Sequence, residues 1–142
     1  SLVGSEMCIR DSPNGECLVT REYPDVNFVL DLIHSAKGIA VMAHPVMFNN
    51  TELLLELIEA GKLDGIEAYH HSATPAQQQK LVDIAKEHDL IVTGGSDFHG
   101  LYNETMTHIG SMTTDKENLD KLFRLIHINS QKANKAAVKT EK

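Results

Sequence analysis

The sequence of 142 residues lacks any long hydrophobic run. A membrane-spanning helix needs about 18 or more consecutive apolar residues, and Asp, Glu, His or Lys interrupt the apolar stretches of this chain before they reach that length. Residues 1–12 also lack the basic start and the continuous apolar centre of a secretory signal. The sequence therefore predicts a protein that does not insert into a membrane.

Cysteine and positive charge are both scarce. The two cysteines, Cys8 and Cys17, are too few for a disulfide framework, which favours a reduced, cytoplasmic setting. Thirteen Lys and Arg residues against 20 Asp and Glu residues give a net charge of −7, whereas a surface that binds duplex nucleic acid is usually basic. We therefore expect no stable binding to duplex nucleic acid. A small phosphorylated substrate remains compatible with this charge, because bound metal cations can supply positive charge.

Several motifs of nucleotide binding and nucleophilic catalysis are absent as well. No P-loop and no dinucleotide-binding glycine pattern occurs in the sequence. Ser96 does not lie in a G-x-S-x-G elbow, and no motif surrounds Cys17. These absences argue against a serine or cysteine nucleophile.

The beginning of the sequence differs in character from the rest. Residues 1–12, SLVGSEMCIRDS, resemble translated adapter sequence, and we predict that they are a non-native leader. The natural protein would then continue upstream of Pro13, and this chain would be a fragment of it. We predict one α/β domain over residues 13–128. Residues 129–142 lack an apolar face and predict a basic, disordered tail.

Helical and strand patterns alternate from Tyr23 onward. Apolar residues at helical spacing follow Pro24 and end at Gly38, which we predict to be the residue just past the helix. Thr74 and Thr114 each begin a capping-box pattern at the start of a helix. Alternation at this spacing indicates parallel strands with helical crossovers, and a barrel and an open doubly wound sheet both fit. The predicted strands are 39–43, 65–69 and 90–93, with a weaker fourth strand at 108–112.

Side chains that can bind metal ions follow each of the three main strands, where parallel α/β folds gather their functional groups. His44 follows the first strand, Glu67 lies within the second and His70 ends it. Asp97 and His99 follow the third, and in extended backbone two such residues point the same way. Oxygen and nitrogen ligands of this kind suit Mn²⁺, Fe²⁺ or Zn²⁺. The residues alone leave alternatives open: a loop-bonded His44, a Glu67 that accepts hydrogen bonds, solvated His70 and His71, and a glycine-rich turn capped by Asp97.

The strings AHP, DGIEAYH and GGSDFHG, in this order and with βα spacing between them, resemble the PHP family of phosphoesterases over about residues 17–128. The resemblance is closest to the branch with nucleoside 3′,5′-bisphosphate phosphatases and short-RNA 5′→3′ exonucleases. It implies the C-terminal, incomplete portion of a distorted parallel β/α barrel that holds two or three divalent ions. His44, Asp97 and His99 would be metal ligands, with Asp97 and His99 also catalytic.

The resemblance also implies a function. It predicts a metal-dependent phosphoesterase, with Mn²⁺ the first choice of ion, that acts on nucleoside bisphosphates or short oligonucleotides. Glu67, His70 and Arg21 would support the metal ligands or face the substrate. The family's N-terminal His-x-His ligands have no counterpart here, so the fragment is expected to be inactive by itself. Two alternatives are a non-catalytic metal-binding or structural α/β fragment and a metal-dependent hydrolase of C–N bonds.

Overall fold

A computed structural model of the chain describes residues 22–100 and 107–140. The predicted leader, both cysteines and Arg21 lie outside the described residues. Helices and strands alternate along the described part as the sequence predicts. The elements are α1 (Val26–Ser35), β1 (Val41–Met42), α2 (Thr51–Glu59), β2 (Gly65–Tyr69), α3 (Pro75–Glu87), β3 (Ile91–Gly94) and α4 (Lys116–Thr140).

The three strands form one parallel sheet in the order β1-β2-β3. Val41 pairs with Gly65, and Gly65 pairs with Ile91, so β2 lies between the other two strands. Each strand is joined to the next by a helix, which is how parallel neighbours are connected. The predicted α/β class is confirmed, and within the part of the chain that the structure describes the sheet stays open.

The hydrophobic core lies between the sheet and the helices. Ile66 and Ala68 on β2 are fully buried and face this core. Burying a side chain of the size of leucine or isoleucine contributes about 1.5–3 kcal/mol, so α2 and α3 are held on the sheet mainly by their apolar faces. The helix residues of this core are Leu30 on α1, Leu54, Leu57 and Ile58 on α2, and Leu81, Val82 and Ala85 on α3.

The helix ends show where local sequence signals succeed and fail. The Thr74 capping box is present, with the Thr74 side chain accepting from Gln77 N. Gly61 lies just past α2 in the left-handed region, with φ of 65°. At the end of α1, however, the left-handed residue is Lys37, with φ of 63°, so the predicted role of Gly38 is wrong by one position. Gly38 is needed for space instead, because a Cβ there would lie 2.9 Å from Ile33 Cγ2.

The segment after β3 forms turns where the sequence predicts a fourth strand. The prediction of a strand at 108–112 is wrong, and the only extended contact in this described segment is an isolated antiparallel bridge between Gly95 and Thr113. Side chains occupy the outer edge of β3 instead. The Thr114 hydroxyl accepts from Gly94 N at 3.1 Å, and Asn118 Oδ1 accepts from Val92 N at 2.9 Å. The strand's backbone donors are thereby satisfied without a fourth strand.

The last helix also differs from expectation at both ends. Its cap is Asp115 and not Thr114, because the Thr114 hydroxyl is engaged by β3 and Asp115 Oδ1 accepts from Asn118 N. Helix α4 continues to Thr140, whereas the sequence analysis predicts a disordered tail from residue 129. Alanine and lysine, which favour helices, are frequent in this stretch, and glycine and proline are absent from it. Among the described residues, no helix is both long enough and apolar enough to cross a membrane.

Candidate metal centre

The first part of the site is built where β1 ends. His44 has a left-handed backbone, with φ of 28°, and its N–H donates to Glu67 Oε2 on the neighbouring strand at 2.8 Å. Glu67 therefore accepts a backbone hydrogen bond, which is one of the alternatives that the sequence left open. Gly95 makes room for this carboxylate, since a Cβ at Gly95 would lie 2.8 Å from Glu67 Oε1. The contact fixes the strand-end backbone of His44.

An irregularity in β2 determines which residues face the site. Glu67 pairs with Thr93, but Gly94 pairs with Tyr69 and not with Ala68, so β2 contains one extra residue. Such a bulge shifts the alternation of side chains by one. Tyr69 packs against the hydrophobic core, whereas strict alternation along β2 would place it on the same face as Glu67. His70 consequently returns to the Glu67 side of the sheet.

His70 occupies the centre of the site. It is only 1% exposed, and its ring lies 5.1 Å from the ring of His44 and 4.2 Å from that of His71, measured between centroids. Ser72 fixes the ring through Nδ1, which lies 2.7 Å from Ser72 Oγ and 3.2 Å from Ser72 N. The hydroxyl can accept a proton from Nδ1 and the amide can donate to it, so both neutral tautomers have a partner. Nε2 is left facing Asp97.

Asp97 connects the histidines of the second and third strands. Its Oδ2 lies 3.3 Å from His70 Nε2 and 3.8 Å from His71 Nε2, and its Oδ1 lies 3.4 Å from His99 Nδ1. Asp97 has a left-handed backbone with φ of 48°, so the extended geometry assumed for Asp97 and His99 is wrong. The carboxylate instead turns toward the end of β2.

His99 lies at the rim of the site, with a side chain that is 64% exposed. Its Nδ1 lies 2.8 Å from the carbonyl oxygen of Asp97. A carbonyl only accepts, so Nδ1 carries the proton. Nε2 of the neutral ring is then unprotonated, which is the form that can bind a metal ion or accept a proton.

The electrostatic balance favours an ionised Asp97. Partial burial alone would raise the pKa of its carboxyl, but the contact with His70 and the positive potential of His99, His70 and His44 outweigh burial. The net effect holds the pKa of Asp97 below its ordinary value of 3.8. Asp97 is therefore a carboxylate, the form that binds cations, throughout the neutral range.

The donor set fits a divalent cation. Ligand atoms of His70, His71 and Asp97 all lie within 4.8 Å of one another. His44 Nδ1 and His70 Nε2 are buried without a hydrogen-bond partner in the described part of the chain. The contact of His70 Nε2 with Asp97 is short enough for a hydrogen bond but is poorly aligned, so it does not satisfy that nitrogen. Buried polar atoms normally have partners, and a bound ion would provide one.

The predicted site residues thus come together, although not as the expected trio. His44 contacts the group through the ring of His70, and His99 contacts it through Asp97. His44, Asp97 and His99 as the ligand set stays a prediction. His71, for which a solvated loop position is the sequence-based expectation, is part of the tightest group. The doublet of histidines at a strand end was the available signal, but the bulge that turns it inward has no sequence signature.

Fold and site together define a class: a parallel α/β protein with a candidate metal centre at the carboxyl ends of its strands. No family model matches the sequence. The chain is 34% identical over 96 residues to a phosphoribosyl 1,2-cyclic phosphate 1,2-diphosphodiesterase of Eggerthella lenta, covering 68% of this chain and 36% of that protein. It is 39% identical over 85 residues to a 5′-3′ exoribonuclease of Haemophilus influenzae, covering 57% of this chain and 31% of that protein.

A solved structure gives the same relationship. The crystal structure described as that of a metal-dependent phosphoesterase from Bifidobacterium adolescentis superposes with a TM-score of 0.67 and 30% identity, over 85% of this chain and 44% of the other. The chain spans about a third of the length of the two relatives matched by sequence. These matches confirm the resemblance to metal-dependent phosphoesterases that the motifs predict.

Proposed function

We propose that the protein, at its full natural length, is a metal-dependent phosphoric ester hydrolase. Its substrates would be small phosphorylated molecules such as nucleoside bisphosphates or short oligonucleotides. The observation that carries the proposal is the buried ring of His70, which faces the Asp97 carboxylate with an unsatisfied nitrogen in a relative of phosphoesterases. Carboxylate and imidazole groups are ligands that divalent transition metals accept.

The proposed ligands come from the ends of all three strands. The sequence motifs propose Asp97 as a ligand together with His44 and His99. The distances between ligand atoms group Asp97 with His70 and His71. Mn²⁺ is the first choice, and Fe²⁺ or Zn²⁺ would also accept oxygen and nitrogen ligands. Bound divalent ions supply Lewis acidity toward phosphoryl oxygens and lower the pKa of water.

The residues of this chain then act in distinct ways. Glu67 holds the backbone of His44 in place. Asp97 contributes negative charge that a cation neutralises. His99 is exposed at the rim, where its unprotonated Nε2 can bind an ion or take up a proton and later return it to a leaving alcohol.

The decisive experiment replaces Asp97 in the full-length protein. Asp97→Asn keeps the shape but removes the charge, so we expect loss of bound metal and of phosphate release without loss of the fold. Metal content by mass spectrometry, phosphate release with Mn²⁺ and circular dichroism measure the three properties. Asp83→Asn is the matched control, because Asp83 is an exposed carboxylate on α3 that bonds Gln79. Wild-type turnover by Asp97→Asn would remove this residue from the mechanism.

Activity assays on the same full-length protein distinguish the alternative functions. A non-catalytic metal-binding protein would bind Mn²⁺ but hydrolyse no ester, and an amidohydrolase would cleave amides in preference to phosphate esters. Assays with both substrate classes distinguish these outcomes. The matched relatives carry the names of a phosphodiesterase and an exoribonuclease, which supports the ester as the first substrate to test.

We further propose that residues 13–128 are part of a larger PHP-like domain in which the open sheet continues into a barrel. The short coverage of the relatives' length supports this, because most of their chain has no counterpart here. The missing N-terminal ligands would come from that segment. From the sequence alone, we propose that Arg21 faces the substrate phosphate. We also propose, from the sequence alone, that the protein is cytoplasmic.

A further inference from the structure

An exposed aromatic ring lies beside the candidate metal centre. Phe48 belongs to the turn that follows β1, and its side chain is 63% exposed. Its ring meets the His44 ring edge to face, with centroids 5.7 Å apart and planes 62° apart. The metal-binding function uses His44 but gives no role to Phe48. A singly exposed ring needs no explanation by itself, so the observation of interest is its contact with the ring of a candidate metal ligand.

The turn fixes the backbone that carries this ring. Met47 N donates to His44 O at 3.0 Å, and Asn50 N donates to Pro45 O at 3.0 Å, so the segment is closed by backbone hydrogen bonds. Pro45 is fully buried and anchors the turn to the core. The backbone that carries the ring therefore needs no further ordering when a flat ligand stacks on it, which favours binding.

We propose that Phe48 stacks on the base of a nucleotide whose phosphate occupies the metal centre. The inference rests on the proposed function and narrows its substrate class to nucleotides and short oligonucleotides, as opposed to sugar phosphates without a base. The matched relatives include one named for a phosphoribosyl cyclic phosphate and another named for RNA, so homology leaves this choice open. Every nucleobase offers a π face to an aromatic ring, and such stacking tolerates any base.

The test compares two esters that differ only in the base. Adenosine 3′,5′-bisphosphate and 1-deoxyribose 3,5-bisphosphate are hydrolysed by the full-length protein with Mn²⁺, and kcat and KM are measured for each. We expect wild-type kcat/KM to favour the adenosine compound by about tenfold, within the range of one base–aromatic stack. Phe48→Leu should remove most of this preference, mainly by raising KM for the adenosine compound. Phe48→Tyr should retain it.

The controls separate stacking from folding. Phe123→Leu changes a ring of similar exposure, 59%, on α4 and should leave the preference unchanged. Turnover of the compound without a base reports whether each variant folds and binds metal. An equal fall for both substrates in Phe48→Leu, or an unchanged preference, would overturn the stacking role and assign Phe48 to packing. If wild type hydrolyses neither compound, the proposed function itself fails.

Discussion

Ser72 illustrates how much of the candidate centre depends on a single side chain that is not a ligand. His70 is almost completely buried, so each of its ring nitrogens requires a partner. The Ser72 hydroxyl, 2.7 Å from Nδ1, can hold the tautomer that leaves Nε2 unprotonated. Outer partners of this kind orient a ligating imidazole and increase its basicity.

We therefore predict that Ser72→Ala weakens metal binding. Only the backbone N–H of Ser72 would remain near Nδ1, and it favours the tautomer with the proton on Nε2. Loss of such a partner typically costs about 10–100-fold in metal affinity. Titration of the full-length protein with Mn²⁺ by calorimetry measures the change. Ser35→Ala is the control, because its hydroxyl bonds a carbonyl within α1. Equal affinities for both variants would show that the Ser72 hydroxyl does not support metal binding.

At the scale of the secondary-structure element, α4 depends on its N-terminal cap. Asp115 Oδ1 accepts from Asn118 N at 2.9 Å, and Oδ2 accepts from Asn118 Nδ2 at 2.8 Å. The backbone hydrogen bond and then the side-chain bond from Asn118 lower the pKa of Asp115 below 3.8. A carboxyl with a depressed pKa in the folded state stabilises the fold above its unfolded pKa, and this contribution disappears as the pH falls through the folded pKa.

Two substitutions at Asp115 separate the cap from its charge. Asp115→Ala removes the acceptor and should lower the free energy of unfolding at pH 7 by about 1 kcal/mol. Asp115→Asn keeps a good capping residue and should lose less. The difference in free energy of unfolding between wild type and Asp115→Ala should become smaller below about pH 4, near the ordinary aspartate pKa. The difference between Asp115→Asn and Asp115→Ala should not change there, because neither side chain titrates. Urea unfolding of the 142-residue chain at pH 7 and pH 3 measures both. A difference between wild type and Asp115→Ala that is as large at pH 3 as at pH 7 would contradict the role of the charge.

The elements also show which parts of the fold could be predicted from sequence. Strong local signals were enough for the helices and for the central strand, because apolar periodicity and the Thr74 capping box act within one element. The prediction of a fourth strand was wrong because the groups that bond the edge of β3 in its place come from another part of the sequence. The Thr114 and Asn118 side chains satisfy the edge of β3, and no pattern in residues 108–112 reveals that.

The sequence predicted which residues form the site better than it predicted where their side chains point. The motifs placed His44 and Asp97 at strand ends, where parallel strands bring side chains together. The inward turn of His70 depends on one extra residue in the pairing of β2 with β3, and the left-handed backbone of Asp97 depends on its tertiary surroundings. Neither can be read from spacing, so the sequence does not indicate that His71 joins the site or that Tyr69 faces the core.

For the whole molecule, the open question is whether the sheet is part of a barrel. The two edges of the sheet differ. The edge of β3 is closed by side chains, but β1 is only two residues long and pairs only with β2 among the described strands. An open edge of this kind is a site for pairing with another strand. An upstream strand of a longer chain would close it, and the doubly wound alternative would leave it as a true edge.

Hydrogen exchange distinguishes these two architectures. We predict that backbone amides in residues 39–43 exchange more slowly in the full-length protein than in the 142-residue chain, because an added strand would protect the outer side of β1. Amides of β2 provide the internal control, since this strand is paired on both sides and should be protected in both proteins. Equal exchange of β1 in the two proteins, with β2 protected in both, would favour the open sheet. The ligands expected upstream of residue 13 would then lack the adjacent strand that brings them to His44 and Asp97.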